Sequence, residues 1–195
     1  MEAGGGHLQF QTTLGIISIA WNSHGMMKKV EWSPRFSAVK STLPIPDFIA
    51  DCVDHLRAYF DQGTPLPPVA WENIDQSEWT PFQKRVYFAI SGIPHGETRT
   101  YGWVAKKVDR WGATRAAGQA LRSNPILILV PCHRVVSASS LGGFMGASDP
   151  NQPELQLKRK LIQLEEEFRN PVFSFIASWS ASQASRIPEF AGAAG

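Results

Sequence analysis

Residues 80–125 read TPFQKRVYFAISGIPHGETRTYGWVAKKVDRWGATRAAGQALRSNP, and this stretch decides the fold. Its punctuation is helical. Thr80 is a good N-cap, Pro81 suits the first helical position, and Gln83 stands where a capping box needs Glu or Gln. Phe82, Val86, Ala89 and Ile90 then share one apolar face, which Gly92 can close. After the turn Pro94-His95-Gly96, Thr100 caps a second helix carrying Tyr101, Val104, Ala105 and Val108. Residues 110–112 form a break. Thr114 caps a third helix over 115–123, which Asn124-Pro125 ends. Two short helices joined by a tight turn, the second rich in small residues and arginine, make a helix-turn-helix candidate. The same pattern also serves ordinary helical cores.

Immediately downstream, residues 126–130 are purely apolar and predict a buried strand or extended segment that delivers Cys132 to the edge of a core. Cysteine is nucleophilic as its thiolate, which needs a base or a cation nearby. His133 and Arg134 supply both within the Pro131-Cys132-His133-Arg134 run. On extended chain His133 need not touch Cys132, and a bridging water would serve. The alternative is a buried cysteine acting as a small hydrophobe, as expected for Cys52 on a helix face.

Upstream, apolar runs at 14–21 and 30–32, separated by the turn signal Ser23-His24-Gly25, predict a strand hairpin. Residues 45–60 place Phe48, Ile49, Cys52, Val53, Leu56 and Phe60 at helical spacing, so a helix is expected on that sheet. The Gly/Pro-rich stretch 62–68 reads as a linker. The fold class is thus an α/β N-terminal domain, 1–79, followed by a mostly α domain, 80–169, with a helix-turn-helix of winged-helix type. An Ala/Ser-rich tail, 170–195, closes the chain, with 172–176 able to dock.

The 195 residues are 43% hydrophobic and 18% charged, which excludes a disordered chain. No run approaches the roughly 20 apolar residues of a membrane span, and the start MEAGGG lacks a basic region followed by an apolar one. A soluble, unexported protein is expected, cytoplasmic, or nuclear in a eukaryote. Two cysteines exclude a disulfide scaffold. The net charge of +2 conceals an asymmetry: residues 1–80 hold 5 Lys/Arg against 9 Asp/Glu, whereas 81–134 hold 9 basic residues against Glu97 and Asp109. Such a basic block suits nucleic acid as partner, or simply a solvated basic face.

The run 124–136, NPILILVPCHRVV, resembles the active-site signature of the O6-alkylguanine-DNA alkyltransferases, also called methylated-DNA–protein-cysteine methyltransferases. Thr80-Pro81-Phe82-Gln83 resembles the family's domain-opening helix. Residues 93–102 (IPHGETRTYG) resemble its turn into the helix-turn-helix, 115–121 (RAAGQAL) its DNA-binding helix, and 161–165 (LIQLE) its closing helix. The resemblance covers about residues 80–166 closely and the first 80 in outline.

The resemblance implies a single-turnover repair reaction. The protein binds double-stranded DNA as a monomer, turns an O6-alkylated guanine out of the stack, and moves the alkyl group irreversibly to Cys132. Carried over by position, Cys132 is the nucleophile, His133 the water-mediated base and Glu165 the carboxylate that orients the imidazole. Tyr101 donates to guanine N3 as charge develops, Arg115 fills the space of the flipped nucleotide, and Asn124 joins the DNA-binding helix to the active-site segment. The backbone of Val135 accepts from the guanine amino group. Ala116, Ala117, Gly118 and Ala120 allow close approach to the minor groove, Arg122 meets phosphate, and Lys106, Lys107 and Arg110 are further phosphate contacts.

One stretch departs from the pattern. Where the family has Gly-Tyr-Ser-Gly or Gly-Tyr-Ala-Gly, this chain has Gly143-Phe144-Met145-Gly146, and the loop 147–157 is longer than usual. The backbone amide of Met145 can still donate to O6, whereas its side chain would narrow the pocket. An alternative is therefore a non-catalytic, alkyltransferase-like lesion-binding protein, against which Cys132 itself argues. Some family members hold a structural zinc in the N-terminal domain. Here His7, His24, His55 and Cys52 match no ligand spacing, so neither metal nor cofactor is expected.

Overall fold

The computed structural model describes residues 5–35 and 44–169. Strands β1 (Gly6–Thr12), β2 (Gly15–Trp21) and β3 (Met27–Ser33) form an antiparallel meander in that order. Along β1 the alternation of polar residues with Leu8, Phe10 and Thr12 turns those three to the core. This strand is absent from the sequence-based expectation of a single hairpin, because interleaved glutamines thin its apolar signal. Helix α1 (Asp47–Gln62) packs on the sheet through Ile49, Leu56, Tyr59 and Phe60. It starts two residues later than the apolar spacing suggests, because Pro46 occupies its N-cap. Its end is set by Gly63, whose φ of +71 lets its N–H bond the Tyr59 carbonyl.

The linker stretch carries no regular structure until a single turn at Trp71–Asn73, after which Asp75 N–H donates to the Met27 carbonyl at 2.9 Å. Helix α2 (Pro81–Ser91) begins as its sequence dictates. Thr80 Oγ1 accepts from Gln83 N–H, and the Gln83 side chain accepts from Thr80 N–H. Short β4 (Arg99–Thr100) leads into α3 (Tyr101–Lys107), capped by Thr100. Helix α4 (Thr114–Arg122) follows, packed on α2 and α3. It begins one residue earlier than expected, with Ala113 rather than Thr114 at its N-cap. Helix α5 (Pro153–Arg169) closes the described chain.

Residues 126–130 do not form the strand or extended segment that their apolarity suggests. Buried apart from half-exposed Leu129, they fold back as a tight loop, with Val130 N–H donating to the Ile126 carbonyl at 3.0 Å. Ile128 sits at φ +74, a left-handed conformation that strongly disfavours a β-branched residue. The loop is held from both sides. Asn124 Oδ1 accepts from Ile126 N–H at 3.1 Å, and Asn124 Nδ2 donates to the Val130 carbonyl at 2.9 Å. Outside the loop, Val30 of β3 donates to the Pro125 carbonyl at 2.8 Å and accepts from Leu127 N–H at 3.2 Å. The sheet's edge thus continues into the segment that leads to Cys132.

The tail 170–195, with the docking expectation for 172–176, lies outside the described residues. No described helix is long and apolar enough to cross a membrane.

Thr80→Ala removes the cap from an otherwise exposed helix start, so we expect a stability loss of about 1 kcal/mol. Urea unfolding checks it: the midpoint falls with an unchanged slope.

Candidate active site

Cys132 opens a single helical turn, Cys132–Arg134, set between the 126–130 loop and the short strand β5 (Val135–Val136), which pairs in parallel with β4. Its thiol lies on the floor of a cleft of ≈ 490 Å³. Tyr101 and the α4 residues Arg115, Gly118 and Arg122 form one side, and the 143–147 turn forms the other. Asn124 Nδ2 donates to Cys132 Sγ at 3.2 Å. One amide therefore shapes the loop and also touches the sulfur. Burial pushes the Cys132 thiol up, while the Asn124 hydrogen bond and the charge of Lys158 oppose that rise. At rest the group is a thiol, and it needs a base before it can attack.

The next residue carries an imidazole. His133 is fully buried, and its Nε2 is 2.8 Å from Glu165 Oε1. A carboxylate can only accept, so Nε2 carries the proton and Nδ1 is left with a lone pair. Nδ1 has no hydrogen-bond partner among the described residues. Burial lowers the proton affinity of this imidazole against the pull of Glu165, with Arg134 and Lys158 acting in the same direction as burial. His133 is therefore held neutral, as a proton acceptor must be.

Glu165, on α5, is 1% exposed, whereas Glu166 and Glu167 beside it face solvent. Arg134 grips it with two bonds, Nε to Oε2 at 2.8 Å and Nη2 to Oε1 at 2.9 Å. Gly96 N–H donates to Oε2 at 3.0 Å, and the Tyr59 hydroxyl donates to Oε1 at 2.7 Å. Burial alone would raise the carboxyl, but His133 and Arg134 hold it well below the usual carboxylate range. The Pro94-His95-Gly96 turn makes its contribution possible. Gly96 has a φ of +73, and a Cβ there would come within 3.0 Å of the Glu165 carbonyl oxygen.

Sequence reasoning missed two residues of this region. Lys158 is completely buried and donates to the carbonyls of Val135 at 2.6 Å, Leu141 at 2.7 Å and Gly143 at 3.0 Å. It ties the Cys132 segment to the cleft's far wall, and burial lowers its pKa to about 8. Within α5 it reads as one more surface cation among Arg159 and Lys160. Tyr59 reads as one more aromatic on the apolar face of α1, and only the packing of α1 against α5 reveals its hydroxyl's partner.

The remaining predicted residues fall as follows. Tyr101 lines the cleft and donates its hydroxyl to the Gly143 carbonyl at 2.9 Å. Gly142, at φ +71, lies against that ring, where a Cβ would approach to 2.8 Å. Phe144 is buried and exchanges backbone hydrogen bonds with Ala147, so Met145 (φ +50) and Gly146 (φ +90) form the tip of a tight turn. Met145 lines the cleft, as do Gly118, Arg115 and Arg122. Ala116 is exposed on α4 outside the cleft. Ala117 and Ala120 are turned away from any groove-facing surface, because they pack into the core, where the Tyr87 hydroxyl donates to the Ala120 carbonyl. Val135 is not brought to the cleft either. It is buried in the β4–β5 pair, and its carbonyl accepts from Lys158. Lys106, Lys107 and Arg110 are exposed, with Lys106 Nζ 5.3 Å from the ring of the exposed Trp111.

Comparison with known proteins agrees with this geometry. Residues 81–167 match the family model for the 6-O-methylguanine DNA methyltransferase DNA-binding domain. The chain is 50% identical over 116 residues to the methylated-DNA–protein-cysteine methyltransferase of Mycolicibacterium paratuberculosis, spanning 59% of this chain and 68% of that protein. It is 35% identical over 169 residues to the Methanosarcina acetivorans protein of the same name, spanning 80% of this chain and 95% of the relative. The solved structure of Mycobacterium tuberculosis OGT in complex with DNA superposes with a TM-score of 0.67 at 32% identity, covering 83% of this chain and 93% of that one.

Glu165→Gln leaves Arg134 buried without its countercharge, so we expect a loss of about 3–5 kcal/mol, measured by chemical denaturation. The sign of the pH dependence follows from the depressed carboxyl. Its contribution is full above the unfolded glutamate value of about 4.3 and is lost as pH falls below it. Acid unfolding of the Gln variant is accordingly shallower than that of the wild type.

Proposed function

The chain belongs to the methylated-DNA–protein-cysteine methyltransferase family, and on that footing we propose that it repairs DNA by taking the alkyl group of O6-alkylguanine irreversibly onto Cys132. The observation that carries this reading is the position of Cys132 on the floor of an open cleft walled by α4, with the neutral, Glu165-held His133 adjoining it.

The geometry supports the following steps. O6 lies within the base stack, so the nucleotide must leave the duplex to reach a thiol recessed below α4. Arg115, exposed at the cleft's rim, occupies the vacated place in the stack. The Cys132 proton passes through a bridging water to Nδ1 of His133. The sulfur then forms a bond to the alkyl carbon as the carbon–O6 bond breaks, and the electron pair goes to the guanine. The Tyr101 hydroxyl turns from the Gly143 carbonyl to donate toward N3 as that charge develops, and the Met145 amide donates to O6. Asn124 holds the sulfur at the head of the loop throughout. A thioether at Cys132 has no proton left to exchange, so each molecule acts once.

The DNA contact falls to α4 and the basic positions before it. Arg122, Lys106, Lys107 and Arg110 meet phosphate, and Ala116 and Gly118 allow the helix to lie close in the minor groove. In this reading residues 80–169 carry DNA binding and chemistry, residues 1–79 support them without DNA contact, and the protein works as a monomer without cofactor, in the cytoplasm or, in a eukaryote, the nucleus.

Incubation with duplex DNA containing O6-methylguanine is expected to add one methyl group to the peptide bearing Cys132, read by mass spectrometry, and none in Cys132→Ala. Tight binding without methyl gain would instead identify a lesion-binding protein without transfer. Arg115→Ala is expected to slow repair of duplex at least tenfold more than reaction with free O6-benzylguanine, roughly one to two kcal/mol of flipping support. Equal losses on the two substrates would remove Arg115 from that role.

A further inference from the structure

Tyr59 lies on α1, outside the residues that match the family model, and 74 positions before His133. Its side chain is completely buried. Its hydroxyl donates to Glu165 Oε1 at 2.7 Å and lies 3.4 Å from His133 Nε2. A phenol has one proton, and here a carboxylate takes it. Toward His133, then, Tyr59 offers only a lone pair. The imidazole Nε2 faces two acceptors at once, Glu165 Oε1 and Tyr59 Oη, so both oxygens call for the proton on Nε2.

We propose that Tyr59 is a positioning residue for alkyl transfer, fixing Glu165 and the His133 tautomer so that Nδ1 alone is left to receive the Cys132 proton. The proposal rests on the transfer reaction above and extends it: the N-terminal part of the chain supplies a member of the relay. The geometry leaves little play. Tyr59 is held edge-on against Phe60 and His95, with ring centroids 5.5 and 6.0 Å away. Glu165 is fixed on its other side by Arg134 and Gly96. Without the phenol, Oε1 loses its one donor that is neither charged nor part of the proton path.

The charges around His133 set the direction of the effect. Glu165 and Lys158 face it from α5, Arg134 and Cys132 from its own turn, His95 from the turn before β4, and Tyr59 from α1. Arg134, Lys158 and burial disfavour the imidazolium, and Glu165 favours it. The Tyr59 hydrogen bond draws on the Glu165 charge and so moderates that pull. In Tyr59→Phe the carboxylate bears more fully on His133, which binds a proton more readily. Because the base must be neutral, the low-pH limb of the reaction moves to higher pH.

The test is Tyr59→Phe, which keeps the ring and its edge contacts, assayed against the wild type by single-turnover methylation of Cys132 from O6-methylguanine duplex. The limiting rate constant is expected to fall roughly tenfold, the scale of one charge-assisted hydrogen bond. The half-saturating DNA concentration stays unchanged, and the low-pH limb shifts upward. A limiting rate and limb equal to wild type, or a loss confined to DNA affinity, would overturn the proposal. Nitrogen-15 spectra of the imidazole give a second readout that is independent of activity. The wild type should show neutral His133 as the Nε2–H tautomer, and in Tyr59→Phe the imidazolium should persist to higher pH. An Nδ1–H tautomer in the wild type, or an unaltered His133 titration in the variant, would overturn it as well. A wild type that transfers no methyl group would defeat the repair reading, while the spectra would still judge the placement of Tyr59.

Discussion

A buried carboxylate is tolerated only when its charge is met, and Glu165 meets that condition through four residues from three parts of the chain. Tyr59 comes from α1, Gly96 from the turn before β4, and His133 and Arg134 from the turn that carries Cys132. Losing any one of them leaves an imbalance where water cannot enter to correct it. This requirement ties the N-terminal sheet-and-helix layer, the helix-turn-helix and the last helix to one point. It also leaves Nδ1 of His133, in the residue after the thiol, without a partner among the described residues.

Lys158 plays the converse part. It is a buried cation with no carboxylate partner among the described residues, satisfied instead by three carbonyls, one of them that of Gly143 on the wall of the cleft. Its charge opposes the rise that burial imposes on the Cys132 thiol. The active-site segment is thus fixed on one side by Asn124, through the loop 126–130, and on the other by Lys158 through Val135. The left-handed Ile128 is a local cost of this arrangement, offset by the burial of that loop and by its bonds to β3.

Some of this was legible in the sequence, and the reasons differ by residue. The start of α2 could be read because a capping box is local: Thr80, Pro81 and Gln83 satisfy one another within a single turn. The same holds for Thr100 at α3. Residues 126–130 misled because apolarity reports burial and not the path of the chain. That path is set by Asn124 and by the edge of β3, which lies far away in sequence. Ala117 and Ala120 misled for a related reason, since smallness suits both a groove and a tight core, and α2 supplies the core.

The sequence by itself determined where α2 and α3 begin, the adjacency of Cys132 and His133, and the concentration of positive charge ahead of them. Each of these depends on residues a few positions apart. Only the tertiary structure decided which of three consecutive glutamates is the buried one, which nitrogen of His133 is free, and that Tyr59 and Lys158 belong to the site. Those outcomes depend on where α1 and α5 lie against the Cys132 turn, at separations of 31–106 residues for the contacts to Glu165. Burial and hydrogen bonding across such distances are properties of the packed core, and no local pattern encodes them.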